Sequence, residues 1–397
     1  MKTVYTFLAV LTAFVSNAQT WVERSEFTGE ARWGAVGFSV GGTGYISTGT
    51  DGPSNFDDLW AWDQVTDTWE QRADFPGGPR REAAAFAIGD YGFVGFGRLN
   101  SGGSGFSDLW SYDPASDAWQ QRAAIPGGGR SAPGIFVLDG KAYVCGGNGG
   151  GPPYLNDLWM YNPDNDTWEQ RDNLPANGRS APIAFAAYGK GYIGAGNDNS
   201  ADFSSKDFWE WDPITDDWTQ RADVPGLERR TGCAFIINGL PFAGGGWNGT
   251  DHLIDFYSYN AGTNAWTPIP NFGGAGAYTP VAFAIGSKGY VGTGGTSGGE
   301  TDQFWEYQPG SAIGVEDIAS AEGLRPVLNE DRILLGGWVT GIADRYSIID
   351  PSGRTLSGDV LRSAMIPLPA LATGTYVLRL QQGTAPVRAW PFVRSAR

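Results

Sequence analysis

A tripeptide that returns about every fifty residues governs what this chain can fold into. Asp58-Leu59-Trp60 recurs as Asp108-Leu109-Trp110, Asp157-Leu158-Trp159 and Asp207-Phe208-Trp209, then in altered form as Asp255-Phe256-Tyr257 and Gln303-Phe304-Trp305. The closing aromatics are 50, 49, 50, 48 and 48 residues apart. A second Trp follows nine residues after each of the first five, at Trp69, Trp119, Trp168, Trp218 and Trp266. Upstream, an aromatic-rich run ending in glycine recurs as Tyr45-Ile46-Ser47, Phe93-Val94-Gly95, Tyr143-Val144-Cys145, Tyr192-Ile193-Gly194, Phe242-Ala243-Gly244 and Tyr290-Val291-Gly292. Before it lies a small-and-apolar stretch such as Ala83–Ile88, Pro133–Leu138 or Val281–Ile285. A period of this length belongs to units that bury their apolar faces only by packing on one another.

Each unit reads as four short strands. The first is rich in Ala, Gly and Phe, and the second runs Tyr/Phe-Val into Gly. The third is Asp-Leu-Trp-x-Tyr, ended by turns such as Asp113-Pro114, Asn162-Pro163 and Asp212-Pro213. The fourth is Trp-Glu-Gln-Arg. Small residues suit strands crowded at an axis, and aromatics fill the gap where blades splay apart. The pattern over residues 20–310 resembles the kelch repeat, carried by the Gly146-Gly147 and Gly294-Gly295 pairs, the Asp-Leu-Trp-x-Tyr segments and the Trp nine residues on. Thr48-Gly49, Phe96-Gly97 and Ala195-Gly196 depart from the pair. The resemblance implies an all-β, six-bladed kelch-type β-propeller. The sixth unit ends at Tyr307-Gln308-Pro309 with no fourth strand, while Trp21-Val22-Glu23-Arg24 matches Trp69-Glu70-Gln71-Arg72. The N-terminal strand is therefore expected to complete the last blade, leaving no exposed edge.

The two ends read differently. Lys2, the apolar stretch Val4–Val15 and the small residues of Ser16-Asn17-Ala18 form a signal peptide over residues 1–18. After residue 310 the repeat stops. Glycines number 51 in residues 1–310 and 9 in residues 311–397. The first part carries 18 Lys and Arg against 35 Asp and Glu, a net −17; the second carries 9 against 8. Residues 311–324 read as a linker, and residues 325–397 as a small β-sandwich with strands around Ile333-Leu334-Leu335, Tyr346–Ile349, Met365–Leu368 and Tyr376–Leu380. The stretch 346–397 resembles the C-terminal sorting domain of the type IX secretion system. The carriers are Ile349-Asp350-Pro351-Ser352-Gly353-Arg354, Leu371-Ala372-Thr373-Gly374-Thr375-Tyr376-Val377-Leu378 and Phe392-Val393-Arg394. Arg325-Pro326-Val327-Leu328-Asn329 stands where that family opens with Pro-Asn-Pro. This resemblance implies the type IX export machinery as a partner and a secreted or outer-membrane cell-surface location. No apolar run of the mature chain is long enough for a transmembrane helix.

The net charge of −16 argues against nucleic acid, which requires a basic footprint. A single His rules out most His-based metal sites and argues against a Ser-His-Asp arrangement. No cofactor, no metal site and no catalytic residue is singled out. Cys145 and Cys233 lie in non-adjacent units and read as buried free thiols; His252 reads as a solvent-facing loop residue. The segment 197–202 lacks the Gly and closing Glu of an EF-hand and reads as a polar turn.

Arginine is placed by the repeat. Arg32, Arg80, Arg130, Arg179 and Arg229 each lie thirteen residues before the strand-two aromatic, with Ala277 in the sixth unit. Arg24, Arg72, Arg122, Arg171 and Arg221 lie three after the strand-four Trp, with Ile269 in the remaining unit. Two roles are open to the first register. It rings a mouth of the channel, with Trp33, Arg81 and Arg230 enriching the rim, or it braces blades by pairing with Asp58, Asp108, Asp157 and Asp207. In kelch propellers that capture acidic peptides, arginines at this register line the pocket, so the resemblance implies an anionic ligand. The chain is accordingly read as a non-catalytic binding module for an anionic glycan or acidic peptide. The alternatives are a sugar epimerase like the kelch sialic-acid mutarotases and a structural surface protein.

Overall fold

The inner-strand Phe of every unit stacks on the strand-two aromatic of its own unit. In the computed structural model the ring centroids are 4.9 Å apart for Phe38–Tyr45 and Phe86–Phe93, 5.0 Å for Phe136–Tyr143, 5.3 Å for Phe185–Tyr192, 5.4 Å for Phe235–Phe242 and 5.7 Å for Phe283–Tyr290. The structure describes residues 19–310 apart from 101, 152 and 199–203. In the tail it describes 325–328, 332–336, 345–350, 354–360, 365–367, 374–382 and 385–394. The expected signal peptide and linker lie outside the described residues.

Those stacked pairs sit in six four-stranded antiparallel sheets, five with their strands in sequence order from the axis outward and the sixth with the N-terminal strand outermost. The first blade is Val36–Val40, Thr43–Ser47, Leu59–Asp63 and Thr68–Arg72. Neighbouring inner strands contact each other in a closed ring, so Val281–Ile285 of the sixth blade meets Val36–Val40 of the first. The result is the six-bladed propeller expected from the repeat. Each inner Phe also reaches into the next blade, which explains a recurrent glycine. A Cβ on Gly92 would overlap the Phe38 ring, and the same holds for Gly191 against Phe136 and Gly289 against Phe235. Ala142 and Pro241 show that the position tolerates little more than a methyl or a ring folded back on the backbone.

The ring is closed by the N-terminus. Thr20–Glu23 pairs antiparallel with Phe304–Gln308, placing Trp21 opposite Tyr307. Trp21 fills the seam between the fifth and sixth blades, edge-on to Phe235, Phe256 and Phe272, and its indole N–H donates to the Pro270 carbonyl at 2.9 Å. Arg24 donates to Glu306, whose carboxylate is wholly buried.

The tail forms two further sheets, Arg325–Leu328, Arg332–Gly336 and Met365–Pro367 in one, and Arg345–Ile349, Thr355–Val360, Gly374–Gln382 and Ala385–Arg394 in the other. Ile333, Ile348, Ile366 and Leu378 are buried among them, as a small β-sandwich requires. The four strands read from the sequence are present. Arg325–Leu328, Thr355–Val360 and Ala385–Arg394 are not evident from it, because Pro326, Gly358 and Pro391 interrupt their apolar alternation.

Trp21→Ala is expected to destabilise the propeller by about 3–5 kcal/mol, the range for deleting a buried aromatic. Urea unfolding measures it, and a loss under ~1 kcal/mol would show that the ring closes without this strand.

Candidate functional site

The five arginines of the first register point into the blades. All five are buried, and each guanidinium is held by an aspartate at the start of strand three. Arg130 Nη1 and Nη2 donate to Asp157 at 2.8 and 2.9 Å, and Arg179 to Asp207 at 2.8 Å on both arms. Arg32 pairs in the same fork with Asp58, Arg80 with Asp108 and Arg229 with Asp255. Nη1 also donates to the carbonyl that ends strand two, from Thr48, Phe96, Gly146, Ala195 or Gly245. The Trp two residues past the aspartate donates its indole N–H to the same carboxylate, as Trp159 does to Asp157 at 2.7 Å. Tyr257 does so with its hydroxyl. The Asp-Leu-Trp signature is thus one unit with the register arginine: two donors converge on one carboxylate. The rim role expected of Arg32, Arg80, Arg130, Arg179 and Arg229 is corrected. Bidentate pairing and three-fold hydrogen bonding make the interior the better place for these forks.

The sixth blade lacks the pair on both sides, with Ala277 for Arg and Gln303 for Asp. Trp305 keeps its place, and its indole N–H is buried without a partner. Burial pushes the Asp207 carboxyl up, but hydrogen bonds and charge from Arg179 and the Ser205 hydroxyl outweigh it and hold it at about 2.

Two rings of hydrogen bonds between blades set the mouth of the channel. In the outer ring the N–H of Gly49, Gly97, Gly147, Gly196, Gly246 and Gly294 donates to the carbonyl of Arg80, Arg130, Arg179, Arg229, Ala277 and Arg32 of the next blade, at 2.7–3.2 Å. These glycines have φ of 87–112°, where a side chain is strained, and a Cβ on Gly97 would lie 2.8 Å from the Arg81 carbonyl. The residue before each has φ of 53–65°, the left-handed well that Thr48, Phe96, Ala195 and Thr293 occupy. Only the second glycine of the pair is therefore obligatory. In the sixth blade the pair is Thr293-Gly294, one residue earlier than the Gly294-Gly295 expected. In the inner ring, Glu82, Ala132, Ala181, Thr231 and Thr279 each donate an N–H to the carbonyl of the preceding blade, starting at Gly34. Gly34 N–H closes the circle on Thr279 Oγ1 at 2.8 Å.

Between the rings each blade presents one residue at the mouth: Trp33, Arg81, Ser131, Ser180, Arg230 and Tyr278. They pair across antiparallel bridges with Thr50, Arg98, Asn148, Asn197, Trp247 and Gly295. One arc is aromatic and cationic. The Arg81 guanidinium lies 4.5 Å over Trp33, Trp33 lies 5.3 Å from Tyr278, and Tyr278 lies 5.8 Å from His252 and 6.4 Å from Trp247. Arg230 lies 4.5 Å over Trp247. Glu82 balances this arc, accepting from Arg81 at 2.9 Å and from Arg98 at 2.6 Å. The facing arc is polar. Asn197 donates to the Tyr154 hydroxyl at 3.0 Å, and Ser131 Oγ and Asn197 Oδ1 are buried without partners. Beneath the mouth the channel holds a cavity of only about 100 Å³, walled by Ala, Gly, Thr and Glu82.

Trp33, Arg81 and Arg230 thus stand at the mouth, while the five register arginines do not. His252, expected in solvent, is half-buried beside Tyr278. Sequence reasoning does not single out Glu82, Arg98, Tyr154, Trp247 and Tyr278. Their signal is positional: they follow the repeat's fixed residues, at places where the units differ. Cys145 and Cys233 are buried and free, and burial pushes both thiols up to about 12. Arg24, Arg171 and Arg221 of the second register pair with Glu306, Glu169 and Glu210 at the outer strands. Most of the 197–202 loop lies outside the described residues.

This is the architecture of a kelch-type β-propeller. The Kelch motif family model matches residues 129–175, which span one blade from beside Arg130 to beyond Arg171. No curated protein matches the chain. A solved structure titled "Structure of YjhT" is similar over 72% of this chain and 95% of its own, with a TM-score of 0.58 and 20% identity.

Asp207 has a carboxyl held below its usual 3.8, so its contribution is full above pH ~4 and is lost as pH falls through ~2. At neutral pH it amounts to about 2 kcal/mol, trimmed by solvent screening of the partly exposed carboxylate. Acid titrations of stability are expected to show this component in the native chain and not in Asp207→Asn. Building the missing pair is expected to be cooperative. Ala277→Arg and Gln303→Asp each destabilise alone, and together they show a favourable coupling of about 2 kcal/mol in a double-mutant cycle. Additive effects would show that the sixth blade has no slot for the fork.

Proposed function

We propose that the protein is a non-catalytic binding module that takes an anionic glycan or acidic peptide at the channel mouth. The observation that carries this reading is the aromatic and cationic arc of Trp33, Tyr278, Trp247, Arg81 and Arg230 above a channel too small to enclose a ligand. Enclosed ligand sites run to about 300–1,000 Å³. A cavity of about 100 Å³ leaves the ligand on the rim, held on one side only. Aromatic faces stack on sugar rings or apolar side chains, and Arg81, Arg98 and Arg230 supply the positive charge. The recognition chemistry has moved from the register arginines to their neighbours one residue on.

Glu82 is the carboxylate at the channel wall, and two arginines hold it as a counter-ion, which supports binding over sugar epimerisation. The N-terminal segment and the sorting-domain resemblance support export through type IX machinery to the cell surface or medium.

Arrays of acidic and neutral glycans and of acidic peptides identify the ligand class. Trp33→Ala combined with Tyr278→Ala is expected to weaken binding at least tenfold with the melting temperature held within a few degrees. Arg81→Glu is expected to weaken charged ligands selectively and to reduce their salt dependence. Unchanged affinity in both variants removes the mouth from consideration.

A further inference from the structure

The inner strands run from the mouth to the opposite face, where tight two-residue turns join them to the second strands. Three of these turns are Asp139-Gly140, Tyr188-Gly189 and Asn238-Gly239, all with positive φ. The turn glycines of the six blades differ in what surrounds them. A Cβ on Gly41, Gly42, Gly89, Gly140 or Gly286 would meet nothing within 4 Å. A Cβ on Gly189 would lie 2.5 Å from Arg379 Nη1, and one on Gly239 would lie 3.9 Å from Val377. The turn of the fourth blade is half-buried against the tail, that of the fifth is touched by Val377 but stays exposed, and the remaining turn glycines have no neighbour over them.

The covering strand, Gly374–Gln382, is built to serve two sides. Tyr376 and Leu378 are buried within the sandwich, while the alternate Val377 and Arg379 face the propeller turns. Arg379 interacts electrostatically with Asp139 of the third blade and Asp212 of the fourth.

We infer that the four-stranded sheet of the tail docks on the face of the propeller opposite the mouth, with Val377 and Arg379 seated on the turns of the fourth and fifth blades. The contact is off-centre and holds the mouth with Trp33 and Tyr278 pointing away from the tail. A chain fixed through its tail would present that mouth outward. The docking itself does not depend on what the mouth binds.

Hydrogen exchange on the full chain tests it. Arg379→Glu is expected to speed exchange about fivefold or more in residues 188–191, the effect of losing ~1 kcal/mol of local protection, with the open turn at 88–91 as the unaffected control. Unchanged exchange at residues 188–191 in a folded Arg379→Glu chain overturns the docking. A second, independent measurement is the pair Gly239→Cys with Val377→Cys, because a Cβ at 239 would lie 3.9 Å from a Val377 methyl. A short bis-maleimide is expected to link residues 239 and 377 within one chain, with the buried Cys145 and Cys233 inert. Failure to form the link while both introduced thiols remain reactive to an alkylating agent overturns it equally.

Discussion

A buried guanidinium fork on an aspartate is the interaction the propeller is organised around. An unpaired arginine inside a blade would cost several kcal/mol, so the fork is tolerable only because both terminal nitrogens are engaged. Asp157 takes two arms of Arg130, the Gly146 carbonyl takes a second bond from Nη1, and Trp159 completes the carboxylate. The same arginine's own carbonyl accepts the N–H of Gly97 from the preceding blade. One residue therefore ties the start of strand one to the end of strand two, to the start of strand three and to the neighbouring blade. Phe96 or Thr48 can replace glycine one position before the bridging residue, but Gly97 and Gly49 remain, because their φ and the carbonyl beside them leave no room for a side chain.

This fixed frame frees the adjacent positions. Arg80 is inside and structural; Arg81, the next residue, is at the mouth and faces Trp33. In the third and fourth blades the mouth position is Ser131 or Ser180, and in the sixth it is Tyr278. Uniform scaffold positions and varied mouth positions alternate along three consecutive residues. A propeller can change its ligand chemistry in this way without disturbing the forks beneath.

The repeat, the blade number and the closing strand are legible in the sequence because each rests on spacing, and spacing survives substitution. The role of the register arginines is less so, since one spacing serves a bracing fork and an open rim alike. A decisive signal is nevertheless present. The unit that replaces Arg by Ala277 is the unit that replaces Asp by Gln303, and a rim arginine would have no reason to be lost together with a strand-three aspartate. The mouth is illegible for the opposite reason. Trp33 meets Tyr278, and Tyr278 meets Trp247 and His252, only because the blades are arranged in a circle, and none of these residues repeats. In the tail, alternation is the only cue, and proline or glycine erases it from three strands.

The sixth blade shows how the ring closes without its fork. There the buried charge is Glu306 on strand three, wholly shielded from solvent and held by Arg24, Lys288, Tyr290 and Gln308. Desolvation raises its carboxyl, but hydrogen bonds led by Lys288 outweigh it and keep it below its usual range. One of the partners, Arg24, arrives only with the N-terminal strand. Glu210 in the fourth blade has the same set, with Arg221, Lys190 and Tyr192, yet there every partner comes from its own continuous blade. In the sixth blade the compensation of a buried carboxylate and the docking of the distant N-terminus are one event. Trp21 supplies apolar burial at the seam, and Arg24 supplies charge neutralisation beside it. Ring closure is thereby coupled to the formation of the one blade that lacks the arginine–aspartate fork.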